Sequence, residues 1–184
     1  MLKKVFILNG VGTSGKGEFV SRLSKYITTY KYSIVDLPKD AAKVLGWDGA
    51  KNEKDRKFLS DIMDLATEYN DSPYRDVTSL VEAFDTELPE EVLVIDMRDP
   101  KDIARAVKDF EAETILIRNP NVKKINSNHA DANVDDYEYD YIIENDGALE
   151  QLDKMAYLFC EQVIKNNCFE KPMRFKCSNL VGEI

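Results

Sequence analysis

The chain is short of the residues that build metal and disulfide sites. Its 184 residues include one histidine, His129, and three cysteines, Cys160, Cys168 and Cys177. No C-x-x-C pair exists and the count is odd, which argues against a structural zinc site and against a self-contained disulfide framework. Reduced thiols in a cytoplasmic setting are the expectation, with Cys160 packed inward on a helix. No apolar stretch approaches membrane-spanning length, and Met1-Leu2-Lys3-Lys4 enters an apolar run at once. Neither a membrane anchor nor a signal peptide is therefore expected. Positive charge is also in the minority. Lys and Arg number 25 against 34 Asp and Glu, a net charge of −9. That balance disfavours nucleic acid polymers and anionic membrane surfaces as partners.

What is present is globular in character. Apolar residues make up 43% and charged residues 32%, and the length suits one domain over residues 1–184. Five short apolar runs read as strands: Val5–Leu8, Ser33–Asp36, Val92–Asp96, Thr114–Ile117 and Tyr139–Glu144. They are near-continuous rather than alternating, as in strands covered on both faces. Helical spacing fills the intervals. One helix follows Gly15 to about Tyr30, and Pro38 opens another through Val44. Two more lie between Phe58 and Leu88, one starts at Asp99-Pro100, and the last begins near Gly147 with Leu149, Leu152, Met155, Phe159 and Val163 inward. Alternation of this kind predicts an α/β fold, a five-stranded parallel sheet flanked by helices. Ligands then bind at the carboxyl ends of the strands. Two connections exceed a simple crossover. The stretch 37–91 reads as a helical insertion that binds substrate, and 119–138 as a lid-like segment. The tail 166–184 is expected to be irregular and to pack, against a second subunit in a homodimer.

The chemistry starts at Gly10-Val11-Gly12-Thr13-Ser14-Gly15-Lys16-Gly17, set between the first strand and the first helix. Glycines at this spacing let successive N–H groups point into one concavity, and the helix adds the positive end of its dipole. Lys16 can then reach the β and γ phosphates of a nucleoside triphosphate. The loop residues Gly10, Gly12, Thr13, Ser14, Gly15 and Lys16 are the nucleotide candidates, with Gly17 and Glu18 beside them. A hydroxyl that would hold Mg²⁺ commonly follows the lysine; here Gly17 stands there. Glu18 either balances the helix dipole or positions metal-bound water. Asp96 ends an apolar strand, the place where a carboxylate holds Mg²⁺ through water, and Arg98 follows it to face a phosphoryl group. Lys39 and Asp40 follow the second strand. Arg56 and Arg75 lie in the insertion, where bidentate guanidinium groups suit an acceptor phosphate. Arg118 ends the fourth strand and could stack on a base or reach phosphates. The acids Asp131, Asp135, Asp136, Glu138 and Asp140 read as a solvated loop.

Together these stretches resemble the deoxynucleoside and nucleoside monophosphate kinases of the P-loop class, related to phosphomevalonate kinase and adenylate kinase. The matching residues are Leu8 through Lys16, Pro38-Lys39-Asp40-Ala41, Ile95-Asp96-Met97-Arg98, Ile115–Arg118, His129-Ala130-Asp131 and Asp140 through Leu152. The resemblance implies a three-layer P-loop sandwich that moves the γ-phosphoryl group of ATP, with Mg²⁺, to a small phosphate-bearing acceptor. It implies Lys16, Asp96 and Arg98 as catalytic residues and places Asn145 near adenine. Glu18, where a hydroxyl is usual, and a lid without arginine beyond Arg118 depart from the pattern. A non-catalytic nucleotide-binding protein and a kinase for a non-nucleotide phosphate acceptor are the alternatives.

Overall fold

The computed structural model describes residues 3–50, 52–122, 134–166 and 171–176. The chain divides into two compact units, Met1–Lys31 with Pro89–Ile184, and Tyr32–Leu88.

The first unit is built on a parallel sheet. Its strands are β1 (Lys4–Asn9), β2 (Thr29–Ser33, which runs across the boundary between the units), β3 (Val92–Asp96), β4 (Glu113–Arg118), β5 (Tyr141–Glu144) and β6 (Met173–Phe175). They lie in the order β2-β3-β1-β4-β5-β6. The sheet thus has six strands where five were expected. The extra one is β6, three residues of the tail paired in parallel with β5 from Tyr141↔Met173 to Ile143↔Phe175. The tail therefore packs into its own fold at this point, with Phe175 in the core.

The strands alternate their side chains between two covered faces, as a pleated sheet requires. Phe6, Leu8, Val92, Val94, Ile115, Ile117, Tyr141 and Ile143 enter one core cluster. On that face lie helices α1 (Lys16–Leu23) and α6 (Leu149–Phe159), the latter continued by a π-helical turn over Cys160–Lys165. The alternate residues Ile7, Leu93, Ile95, Leu116 and Ile142 are also buried. Helix α5 (Pro100–Phe110) packs on β1 and buries Ile103 and Ala106. Helices therefore flank a parallel sheet, the α/β layering expected. Leu149, expected inward, is exposed, because α6 begins there rather than near Gly147.

Two elements start or stop elsewhere than expected. Helix α1 ends at Leu23 instead of continuing to Tyr30. Its last turn tightens, with the Lys25 and Tyr26 amides donating to the Arg22 and Leu23 carbonyls, and the β-branched and aromatic run from Thr28 then favours a strand. Strand β2 accordingly lies earlier than Ser33–Asp36. Asp36 takes the Ser33 amide on its carboxylate at 3.0 Å, which turns Ile34 and Val35 out of the strand and opens a helix at Asp36.

The second unit is helical: α2 (Asp36–Val44), α3 (Glu53–Asn70) and α4 (Ser72–Thr86). Asn52 caps α3 through its side chain, which accepts from the Asp55 amide. The buried residues of this unit are Pro73, Tyr74, Val77, Val81 and Phe84 of α4, Pro38 and Ala42 of α2, and Ile34. Helix α3 buries no residue fully, and its Tyr69 is exposed.

Candidate functional site

The loop between β1 and α1 takes the conformation its sequence calls for. Gly10 and Gly15 sit at φ of 149° and 102°, and Thr13 is left-handed at 62°. Side chains are excluded at two of these positions by contact as well as by backbone angle. A Cβ on Gly10 would lie 2.5 Å from the Ile117 carbonyl oxygen, and one on Gly15 would run into the Asn145 amide. The Lys16 side chain is buried and curls back over the loop, its ammonium donating to the Gly10 carbonyl and, at 3.3 Å, to that of Val11.

The loop is tied to the sheet by residues on either side. Asn9, at the end of β1, is fully buried. Its carbonyl oxygen accepts from the Gly10 amide at 2.7 Å, and its amide group donates to the Tyr139 hydroxyl at 2.7 Å. Tyr139 passes the chain on, donating to the Val134 carbonyl at 3.0 Å. Burial is the main cause that raises the Tyr139 hydroxyl above the usual tyrosine range, so it stays protonated. On the other side Asn145 donates to the Ser14 carbonyl at 2.8 Å, and its own backbone amide donates to the Arg118 carbonyl at 2.7 Å. Asn145 is therefore in contact with the glycine-rich loop.

Two features of this loop ask for an anion. The Ser14 hydroxyl is buried and makes no hydrogen bond. No side chain caps the first turn of α1. An uncapped helix start and an orphaned buried hydroxyl are both costly unless an acceptor fills the concavity.

The remaining candidates separate by unit. Asp96 ends β3 opposite Leu8 of β1, one residue before the level of Asn9, and is half-buried. Arg98 is half-buried and its carbonyl accepts from Asn9 at 3.4 Å. Glu18, in the first turn of α1, pairs with Arg22 at 2.7 Å. Arg22 also reaches Asp153 of α6, which gathers Lys25 and Tyr26 as well. Arg118 is half-exposed and pairs with Asp135 at 3.2 Å.

In the second unit Lys39 pairs with Asp36 and Asp40 with Lys43, both at 2.7 Å. Arg56 lies in the first turn of α3. Arg75 lines an open cleft of about 450 Å³ with Leu37, Ser72, Asp76, Thr78 and Ser79. The Asp76 carboxylate accepts from the Tyr32 hydroxyl.

Of the lid-like segment, 123–133 lies outside the described residues, and with it Lys123, Lys124, His129 and Asp131. Cys168 and Cys177 also lie outside; Cys160 is a buried free thiol. Among the described residues no group of three acids, histidines or cysteines is arranged to hold a metal, and no helix is long and apolar enough to cross a membrane. Sequence reading missed Asn9 and Tyr139 as loop supports. It also missed Lys31 of β2, whose ammonium lies 3.6 Å from where a Cβ on Gly17 would sit. A polar residue closing an otherwise apolar strand was the available signal for Asn9; the other two carry none.

No protein-family model matches this chain, and no curated protein matches it by sequence. Among solved structures it is similar to TT1252 from Thermus thermophilus, with 12% identity over 88% of this chain and 99% of that one, at a TM-score of 0.53. It is also similar to shikimate kinase from Aquifex aeolicus vf5, at 16% identity over 88% and 99% and a TM-score of 0.45. A looser likeness, to the signal recognition particle receptor FtsY of Elizabethkingia anophelis, has 14% identity over 82% and 51% and a TM-score of 0.39. The first of these likenesses shows the fold; the other two are too loose to bear on this chain's chemistry.

Proposed function

We propose that the chain is an ATP-dependent small-molecule kinase that transfers the γ-phosphoryl group to a nucleoside or deoxynucleoside monophosphate. One observation carries the reading: the loop Gly10–Lys16 is a glycine turn whose buried, unpartnered Ser14 hydroxyl and uncapped helix start suit a phosphate group.

Each residue has a part in this reading. The loop amides and the α1 dipole hold the β and γ phosphates. Lys16 exchanges its loop carbonyls for phosphate oxygens and stabilises the charge that develops as the phosphoryl group leaves. Arg98, beside Asp96 at the strand end, holds the transferring group or the acceptor phosphate by paired N–H donors. Magnesium, when bound, neutralises phosphate charge. With Gly17 offering no hydroxyl, Asp96 is the carboxylate that would hold it, through water. Asn145 and Arg118 keep the nucleotide side of the loop in register. In the second unit Arg75 and the hydroxyls of Ser72, Thr78 and Ser79 suit a phosphate ester with polar groups, and Lys39, Asp40 and Arg56 are the further acceptor candidates. Catalysis of this kind rests on position and electrostatics rather than on a general base.

A thermal-shift panel tests the reading. ATP with Mg²⁺ raises the melting temperature, and a nucleoside monophosphate raises it further. At a hundredfold excess over Kd the expected stabilisation is about 2.7 kcal/mol. A shift with a sugar phosphate in place of every nucleotide monophosphate moves the acceptor outside the proposed class. No shift with ATP refutes the proposal.

A further inference from the structure

Lys31 lies outside the loop motif, yet its ammonium stands at the start of α1, 3.6 Å from the point a Gly17 side chain would occupy. Both residues belong to the first unit. A Cβ at Gly17 would make ordinary contact with this ammonium, which places Lys31 beside the position where a hydroxyl commonly follows the lysine. The placement is electrostatically odd. A helix N-terminus carries positive partial charge, so a cation there is repelled by the dipole. Among the described residues no carboxylate pairs with Lys31. The acid nearest to Gly17 in sequence, Glu18, is taken up by Arg22 at 2.7 Å. The buried ammonium of Lys16 adds more positive charge to the same loop. Two ammonium groups, an uncapped helix start and an unpartnered Ser14 hydroxyl therefore concentrate on one short stretch. Such an array is repulsive by itself and becomes favourable when a polyanion enters it.

We infer that Lys31 is a second phosphate-binding lysine, one that brings positive charge from β2 to the side of the loop where Gly17 offers magnesium no hydroxyl. Its ligand is the polyphosphate chain of the nucleotide, and its consequence is nucleotide binding that depends only weakly on divalent metal. The inference rests on the kinase reading above and deepens it. An ammonium is a compact point charge with three donors on a flexible stem, suited to phosphate oxygens whose exact position varies. With magnesium present the two cations share the same phosphate charge, so Lys31 matters most when metal is removed.

Calorimetric titration of the full chain with ADP, in EDTA and in Mg²⁺, tests this. Lys31→Gln weakens metal-free binding by roughly tenfold or more, the size of one charge-assisted hydrogen bond, and weakens binding in Mg²⁺ much less. Lys31→Arg, which keeps the charge, restores most of the loss. Lys16→Ala weakens binding in both conditions. Metal-free binding equal in wild type and Lys31→Gln, with Lys16→Ala still impaired, overturns the inference and leaves the loop's role standing. Equal weakening with and without metal also overturns it, since that makes Lys31 a general support. Absence of ADP binding by the wild type in EDTA alone overturns this inference, and absence in both conditions overturns the kinase reading with it.

Discussion

Asn9 is the residue on which the loop's shape most depends. It is fully buried, its side-chain oxygen accepts from the Gly10 amide, and its side-chain amide donates across to Tyr139. Replacing it with alanine leaves the buried Gly10 amide without an acceptor, and the Tyr139 hydroxyl keeps only its bond to Val134. An unsatisfied buried group of this kind costs about 1–3 kcal/mol. Asn9→Ala should therefore lower the urea midpoint by that amount with an unchanged denaturant slope, and should loosen nucleotide binding through the displaced loop. A variant as stable as the wild type would mean that water or backbone movement replaces both bonds. The turns at Gly10 and Gly15 and the strand end at Asp96 were legible in the sequence because they are local. A left-handed backbone at Gly15 and an acid closing an apolar strand are facts about neighbours in the chain. Tyr139 and Lys31 were not legible, because each is brought beside the loop only by folding, and for Asn9 only the bond to Tyr139 was hidden in this way. Tyr139 is 130 residues from the asparagine it supports.

At the scale of elements, α6 holds the first unit together through Phe159. Its ring meets Phe6 and Tyr141 at 5.3 Å and Phe19 and Phe175 at 5.7 Å, all edge-on. One side chain thus joins β1, α1, β5 and β6. Truncation removes buried area and leaves a cavity lined by four rings, which costs about 3–5 kcal/mol. Phe159→Ala should show that loss in equilibrium unfolding, whereas Tyr69→Ala, on the exposed side of α3, should change stability little. Strand β3 was read at its observed bounds, since an unbroken apolar run between charged residues admits few alternatives. Strand β2 was misplaced because Ile34 and Val35 have high strand propensity but follow the point where Asp36 captures the Ser33 amide. Strand β6 was missed for another reason. Three residues without periodicity carry no signal, and only the edge of β5 makes them a strand.

For the whole molecule, the sheet order puts β1 between β3 and β4, so the phosphate loop and the Asp96–Arg98 strand end emerge from adjacent strands. That adjacency brings together two sequence motifs about eighty residues apart, as the proposed phosphoryl-transfer site requires. The helical unit Tyr32–Leu88 carries its own arginines and its own cleft, which is the place assigned here to the acceptor. The central claim is transfer, and a coupled ADP-release assay measures it directly, with ATP and Mg²⁺ across a panel of nucleoside and deoxynucleoside monophosphates. The account predicts ADP release that requires one of these acceptors and falls by at least about a hundredfold in Lys16→Ala, as expected when a charge that stabilises the transition state is removed. Intact ATP binding with no acceptor-dependent ADP release, in wild type as in Lys16→Ala, would contradict it.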